Sequence, residues 1–232
     1  MPTRPTRDEA WPNGTPCWID LMVTDTALAR HFYSSLFGCD ALARPLDADG
    51  YLICMLKGYV VAAISPRPSD DPVPHVWSIC LACDDLDATA AKAKAAGSQF
   101  MMEPMDVMTA GRRTFAMDPP GAPYGIWQAG GHEGVAVSNE PGTLIWNQLL
   151  TRDYEGAKAF YGDVFGFTYQ EIGEGFAYST VKRPGDGAVA ASLGELGASV
   201  LRQRFDTPFG RMAPLIGAQG GTFSLIQAAS EE

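Results

Sequence analysis

Apolar and polar residues alternate along CWIDLMVTD (17–25). Ile19, Leu21 and Val23 fall on one face and Trp18, Asp20 and Met22 on the other, the period of two of a β-strand. The period then changes: Ala29, Phe32, Tyr33, Leu36 and Phe37 recur at helical spacing, with Asp25 or Thr26 as N-cap and Gly38 as the stop. GYLICML (50–56) and YVVAAIS (59–65) predict two short strands joined by the turn-like Lys57-Gly58. Pro72 and Pro74 mark a linker, after which the order restarts. HVWSICLAC (75–83) reads as a strand and DDLDATAAKAKAAG (84–97) as an Asp-capped helix. FMMEPM (100–105), RRTFAM (112–117) and YGIWQA (124–129) read as three extended segments, with DPPGAP (118–123) as a turn. The pattern predicts an α+β fold whose unit is a βαβββ module, used twice by residue 130.

The chain then repeats itself. TPCWIDLMVTDTALARHFYSSLFG (15–38) aligns with TLIWNQLLTRDYEGAKAFYGDVFG (143–166) at a spacing of 128 residues, matching Trp18 with Trp146, Asp25 with Asp153, Phe32-Tyr33 with Phe160-Tyr161 and Phe37-Gly38 with Phe165-Gly166. Further along, Gly97 and Asp106 match Gly197 and Asp206 at a spacing of 100, so the second copy is about 28 residues shorter. We assign the shortfall to the region of Met55 through Cys83, one hairpin strand, the linker and a first strand. The helix is read as retained in AVAASLGELGA (188–198). The division is a flexible segment at 1–13, a first domain at 14–130, a linker at 131–142 and a shortened second domain at 143–232. The missing strand leaves an open sheet edge, a route to a homodimer.

Composition narrows the partners. With 232 residues, 46% of them apolar, the chain can bury a substantial core. No apolar run is long enough to span a bilayer and no secretory signal pattern precedes Trp18, so a cytoplasmic location is expected. A formal net charge of −10 argues against nucleic acid and leaves a small molecule or another protein. The five cysteines (Cys17, Cys39, Cys54, Cys80, Cys83) show no disulfide spacing. The Cys80/Cys83 C-x-x-C lies in a strand-like run with no second ligand pair, which favours buried thiols over redox or metal use. His31 lies off the apolar helical stripe and His132 in GGHEG, both readings favouring exposure, whereas His75 immediately precedes a strand. Arg112 and Arg211 each follow a Gly in the two copies, which fits a shared turn-and-strand role better than anion binding.

The order of elements, W-x-D-L-x-x-x-D-x-x-x-A-x-x-F-Y-x-x-x-F-G at Trp18 to Gly38, DDLDATAAKAKAAG at 84–97 and D-P-x-G-A at Asp118 to Ala122 together resemble the vicinal oxygen chelate superfamily of glyoxalases, bleomycin-resistance proteins and extradiol dioxygenases. PGTLIWNQLLTRD at the start of the second copy is similar to a two-domain glyoxalase-like branch often labelled hydroxylase. The resemblance implies paired modules whose mixed sheets curl into ligand-holding cups, the second cup here incomplete. It also implies, in metal-dependent members, ligands at positions that correspond to Trp18, Ser78, Gly125, Trp146 and Ser224. None of these side chains is a good donor, so no metal and no cofactor is expected.

Strand parity and the cup implied by the resemblance give the candidate site: Trp18, Asp20 and Met22, with Ser78 and Cys80 from the second module, Trp127, His75 at the entrance, and Tyr51 and Met55 from the hairpin. Such a lining suits a flat, mostly apolar, aromatic ligand. Asp20 is the candidate acid/base, against a buried carboxylate that only accepts hydrogen bonds from a neighbouring Ser or Tyr. Its repeat partner, Gln148, cannot take that role. The leading expectation is a metal-independent enzyme of lyase, isomerase or hydroxylase type acting on a small aromatic metabolite. The alternative is a non-catalytic binder of bleomycin-resistance type, and a metal-dependent glyoxalase or dioxygenase ranks below both.

Overall fold

The computed structural model describes residues 7, 9–43, 50–67, 75–172, 177–185, 189–195, 205–207, 210–219 and 221–228. Elements follow in the order β1 (Pro16–Val23), α1 (Thr26–Phe37), β2 (Asp40–Ala43), β3 (Leu52–Leu56), β4 (Tyr59–Pro66), β5 (Trp77–Ala82), α2 (Leu86–Ala95), β6 (Gln99–Val107), β7 (Gly111–Met117), β8 (Pro123–Ala129), β9 (Gln148–Thr151), α3 (Tyr154–Phe165), β10 (Thr168–Glu171), β11 (Tyr178–Lys182), β12 (Val189–Glu195), β13 (Phe205–Thr207), β14 (Gly210–Ile216) and β15 (Thr222–Ala228). This is an α+β chain with mixed sheets. Its first ten elements are two βαβββ modules, as expected, and the four-residue β2 is the strand of the first module too short to leave a pattern. No helix among the described residues is long and apolar enough to cross a membrane.

The helices form where the sequence places their caps. Asp25, Asp85 and Asp153 each stand in front of a helix, and each side chain accepts a hydrogen bond from the backbone N–H three residues on. Gly38 and Gly166 close α1 and α3 in the left-handed conformation, φ +70° and +72°, which glycine adopts without strain.

One sequence expectation is corrected. AVAASLGELGA is no helix: Val189–Glu195 forms β12, antiparallel to β11 and parallel to β9. The alanines suggest a helix, but at the repeat spacing of 128 residues this run corresponds to β4, which pairs in parallel with β1 in the same way. Only residues 196–204 separate β12 from β13, too few for counterparts of both β5 and α2. The hairpin strand is therefore kept in the second copy, and the sequence shortfall of about 28 residues falls after β12.

The packing groups the chain into two compact units that interleave in sequence, residues 1–19, 58–61 and 78–197 in one and residues 20–57, 62–77 and 198–232 in the other. In the first unit, strands follow the order β5-β8-β7-β6, and a separate four-stranded sheet has the order β10-β11-β12-β9. Its core joins Leu81, Leu86, Ala93, Tyr124 and Ile126 to Ala157, Phe160, Val164 and Phe165 of α3, so α2 and α3 share one apolar interior. In the second unit the order is β2-β3-β4-β1, and β13-β14-β15 is an antiparallel sheet. Tyr33 of α1 stacks on Phe37 and meets Trp77 and Phe223 edge-on at centroid separations of 5.2 and 5.7 Å, contacts worth roughly 0.5–1.5 kcal/mol each beyond the area they bury.

The two copies use the same tyrosine differently. In the first unit, Tyr161 donates to the Asp118 carboxylate at 3.1 Å, and the other carboxylate oxygen accepts from the Ala122 N–H at 2.6 Å. Burial pushes the Asp118 carboxyl above its ordinary range against those hydrogen bonds, and burial raises Tyr161 too, with Asp118 adding to it. In the second unit the repeat equivalent, Tyr33, takes a hydrogen bond from Trp77 Nε1 at 3.3 Å. The turn position that corresponds to Asp118 is Gly217, where any Cβ would collide with the Tyr33 hydroxyl.

Candidate functional site

Asp20 stands near the middle of β1, opposite Ala63 of the parallel β4. It is only 3% exposed. A buried carboxylate is tolerated when its oxygens are hydrogen-bonded, and here hydroxyls do so. Ser65 Oγ donates to Oδ1 at 2.8 Å, and Tyr51 Oη donates to Oδ2 at 3.0 Å. Tyr51 stands just ahead of β3 and is half-buried. Met22 and Met55 are half-buried strand residues of the same unit. His75 is tied elsewhere, its Nδ1 against the Gln219 carbonyl oxygen. Behind the site, a hydrogen bond from the Cys54 thiol holds Cys39 down at about 7, while the Cys39 contact, burial and the Asp20 carboxylate push Cys54 up.

The other candidates belong to the first unit. Trp18 and Trp127, both buried, meet the His132 ring edge-on at 4.6 and 5.7 Å, and Trp127 Nε1 donates to the His132 carbonyl at 3.0 Å. His132 is thus half-buried between two tryptophans, which corrects its reading as an exposed linker residue. The surrounding glycines suggest a loose loop, yet Val135 N–H donates to the Cys17 carbonyl and fixes the segment. Ser78 and Cys80 are buried on β5. All five cysteines are free and buried. Burial raises the Cys17 thiol and pushes Cys83 up to about 12, so neither is a reactive thiolate at neutral pH. His31 is exposed on α1. Arg112 pairs with Asp106 and Asp87, and Arg211 pairs with Asp206, the equivalent hairpin contact in the second copy.

Sequence reasoning missed Ser65 and His132. Ser65 stands opposite Met22 in the parallel pairing of β4 with β1, which puts it within reach of Asp20 and which no local spacing shows. In the second copy, Gln148 stands where Asp20 does in the first and is exposed, so the buried carboxylate has no counterpart there.

The comparisons agree with this architecture. The family model for the glyoxalase/bleomycin resistance protein/dioxygenase superfamily matches residues 17–124. The putative glyoxylase CFP32 of Mycobacterium tuberculosis is 37% identical, over 98% of this chain and 100% of that protein. The anthracycline biosynthesis protein DnrV of Streptomyces peucetius is 31% identical, over 92% of this chain and 93% of that protein. The Mn(II)-bound glyoxalase from Novosphingobium aromaticivorans shares the fold at a TM-score of 0.66 and 15% identity, over 91% of this chain and 81% of that one.

That last finding overturns the expectation of no cofactor, because the fold to which this chain is similar is one that holds a metal ion. The residues at the corresponding positions nevertheless do not fit such an ion. Where the metal-dependent pattern needs a carboxylate, this chain has Gly125, and a Cβ there would lie 2.5 Å from Cys80 Sγ and 2.9 Å from the Phe115 ring. A thiol and an aromatic edge fill the space a ligand side chain would need. Among the described residues no three His, Cys, Asp or Glu side chains converge as a metal site. Matched by its family model over residues 17–124 and nearly end to end by a relative 37% identical, the chain belongs to the glyoxalase/bleomycin resistance protein/dioxygenase superfamily.

Proposed function

We propose that the protein acts on a small planar aromatic carbonyl compound by acid/base chemistry, with Tyr51 and Asp20 as the proton-handling pair. The observation that carries this reading is the Tyr51 Oη to Asp20 Oδ2 hydrogen bond, which links a half-buried phenol to a buried carboxylate. In the step proposed, the C–H bond beside the ligand carbonyl breaks and its proton passes to Tyr51 Oη. The phenolic proton moves to Asp20 Oδ2, and the electron pair stays on the ligand as an enolate; reversal returns the proton. The half-buried Tyr51 ring, Met22 and Met55 all belong to the unit that holds Asp20, and a flat ring with soft thioethers favours an aromatic ligand. The name of DnrV points the same way, since anthracyclines are polycyclic hydroxyquinones. A second reading, sequestration without chemistry, is favoured by the fact that both Asp20 oxygens already accept a hydroxyl.

Deuterium washout from α-deuterated 2-tetralone, with binding followed by tryptophan fluorescence, separates the two. For the catalytic reading, Asp20→Asn and Tyr51→Phe should each slow washout by about 10²–10⁴-fold and leave affinity within threefold. Binding without any washout by the unmodified protein favours sequestration. If 2-tetralone does not bind, the aromatic reading falls.

A further inference from the structure

We propose that the inner row of the first unit's sheet is a subsite for an anionic group on an aromatic ligand, with Arg113 as the recognising cation. Arg113 lies on β7 directly opposite Trp127 of β8 and Met105 of β6. Residues paired across antiparallel strands project to one face, so Trp127, Arg113, Met105 and, two residues along β7, Phe115 form one row. The Arg113 guanidinium carbon lies 5.5 Å over the Phe115 ring. Its Nε is buried and has no hydrogen-bond partner among the described residues. A buried Nε–H without an acceptor is costly, and Trp127 across the strand offers none, because its indole N–H only donates, to the His132 carbonyl.

The neighbouring Arg112 shows what satisfaction looks like. It projects to the opposite face and reaches Asp87 at 2.7 Å and Asp106 at 3.0 Å. Arg113 differs in facing aromatic rings and a soft thioether instead of carboxylates. Met105 is 44% exposed, so the row opens to solvent at the β6 edge. The chemistry left over is a planar apolar wall with one unsatisfied Nε–H on a charged guanidinium, to which a carboxylate on a flat ring offers the missing acceptor. This runs against the molecule's net charge of −10, which by itself favours cationic ligands.

The inference rests on the reading that the protein binds aromatic ligands, and all its residues lie in the first unit. The test titrates the full-length protein with anthraquinone-2-carboxylate and with its neutral carboxamide, read by tryptophan fluorescence. We expect the carboxylate to bind at least tenfold more tightly. Arg113→Gln should abolish that preference without weakening the carboxamide, Arg113→Lys should keep part of it, and Arg112→Gln should leave it intact. Equal binding of the two probes by the unmodified protein overturns the Arg113 subsite and leaves the aromatic reading standing. Binding of neither overturns both. A preference that survives Arg113→Gln, or is lost in Arg112→Gln, places the recognising charge elsewhere and also overturns the proposal.

Discussion

At the scale of single residues, two positions convert geometry into measurable stability. Gly125 has no room for a side chain, because Cys80 Sγ and the Phe115 ring occupy the place of its Cβ. Gly125→Ala should therefore cost about 1–3 kcal/mol by overpacking, a fall in Tm of several degrees by calorimetry, and an unchanged Tm would mean that the ring and thiol yield freely. Asp118 makes a pH-dependent contribution. Its folded pKa is raised by burial, so the stability linked to this group is full below the unfolded value near about 3.9 and is lost as pH rises through the folded value. Asp118→Asn should remove that loss. The Tm of the unmodified protein, measured relative to the variant, should fall as pH is taken from about 3.5 to 6, and a pH-independent difference would refute the linkage.

At the scale of elements, Gln219 ties the turn before β15 to the entry of α1. Its Oε1 accepts from Thr24 Oγ1 and from the Asp25 N–H, and its Nε2 donates to the Asp25 carbonyl at 2.6 Å. Gln219→Ala should cost about 1–2 kcal/mol and lower amide hydrogen-exchange protection in the first turn of α1 while leaving α3 unaffected. Protection lost equally in both helices would mean a global effect. Much of this level was legible in the sequence. Period-two runs, Asp caps and terminal glycines gave β1, α1 and both modules of the first copy, because these signals act within a few residues. The misreading of β12 as a helix has the opposite cause. An Ala-rich run takes its conformation from the strands beside it, here β9 and β11, and such pairing is invisible in a local window. The site divides in the same way. Trp18, Asp20 and Met22 follow from strand parity, whereas Ser65 beside Asp20, His132 between two tryptophans and Arg113 opposite Trp127 arise from pairing partners and a loop path that local spacing does not encode.

At the scale of the whole molecule, the repeat in sequence and the grouping in space do not coincide. The first unit takes α3 and its apolar residues from the second copy, and the second unit takes Phe223 and the last three strands. A chain cut after residue 142 keeps every module of the first copy yet loses core residues from both units. It should bind a hydrophobic dye and lose its near-UV circular dichroism, and a cooperative unfolding transition equal to that of the full chain would show that the first copy stands alone. The same interleaving governs the order of events during synthesis. Synthesis runs from the N-terminal side, and neither unit has its full complement when the first copy is out. The first must wait for α3 and the strands through β12, and the second for β15. Duplication ordinarily lets one copy fold while the next is being made; here each unit stays incomplete until the part of the second copy that belongs to it has followed.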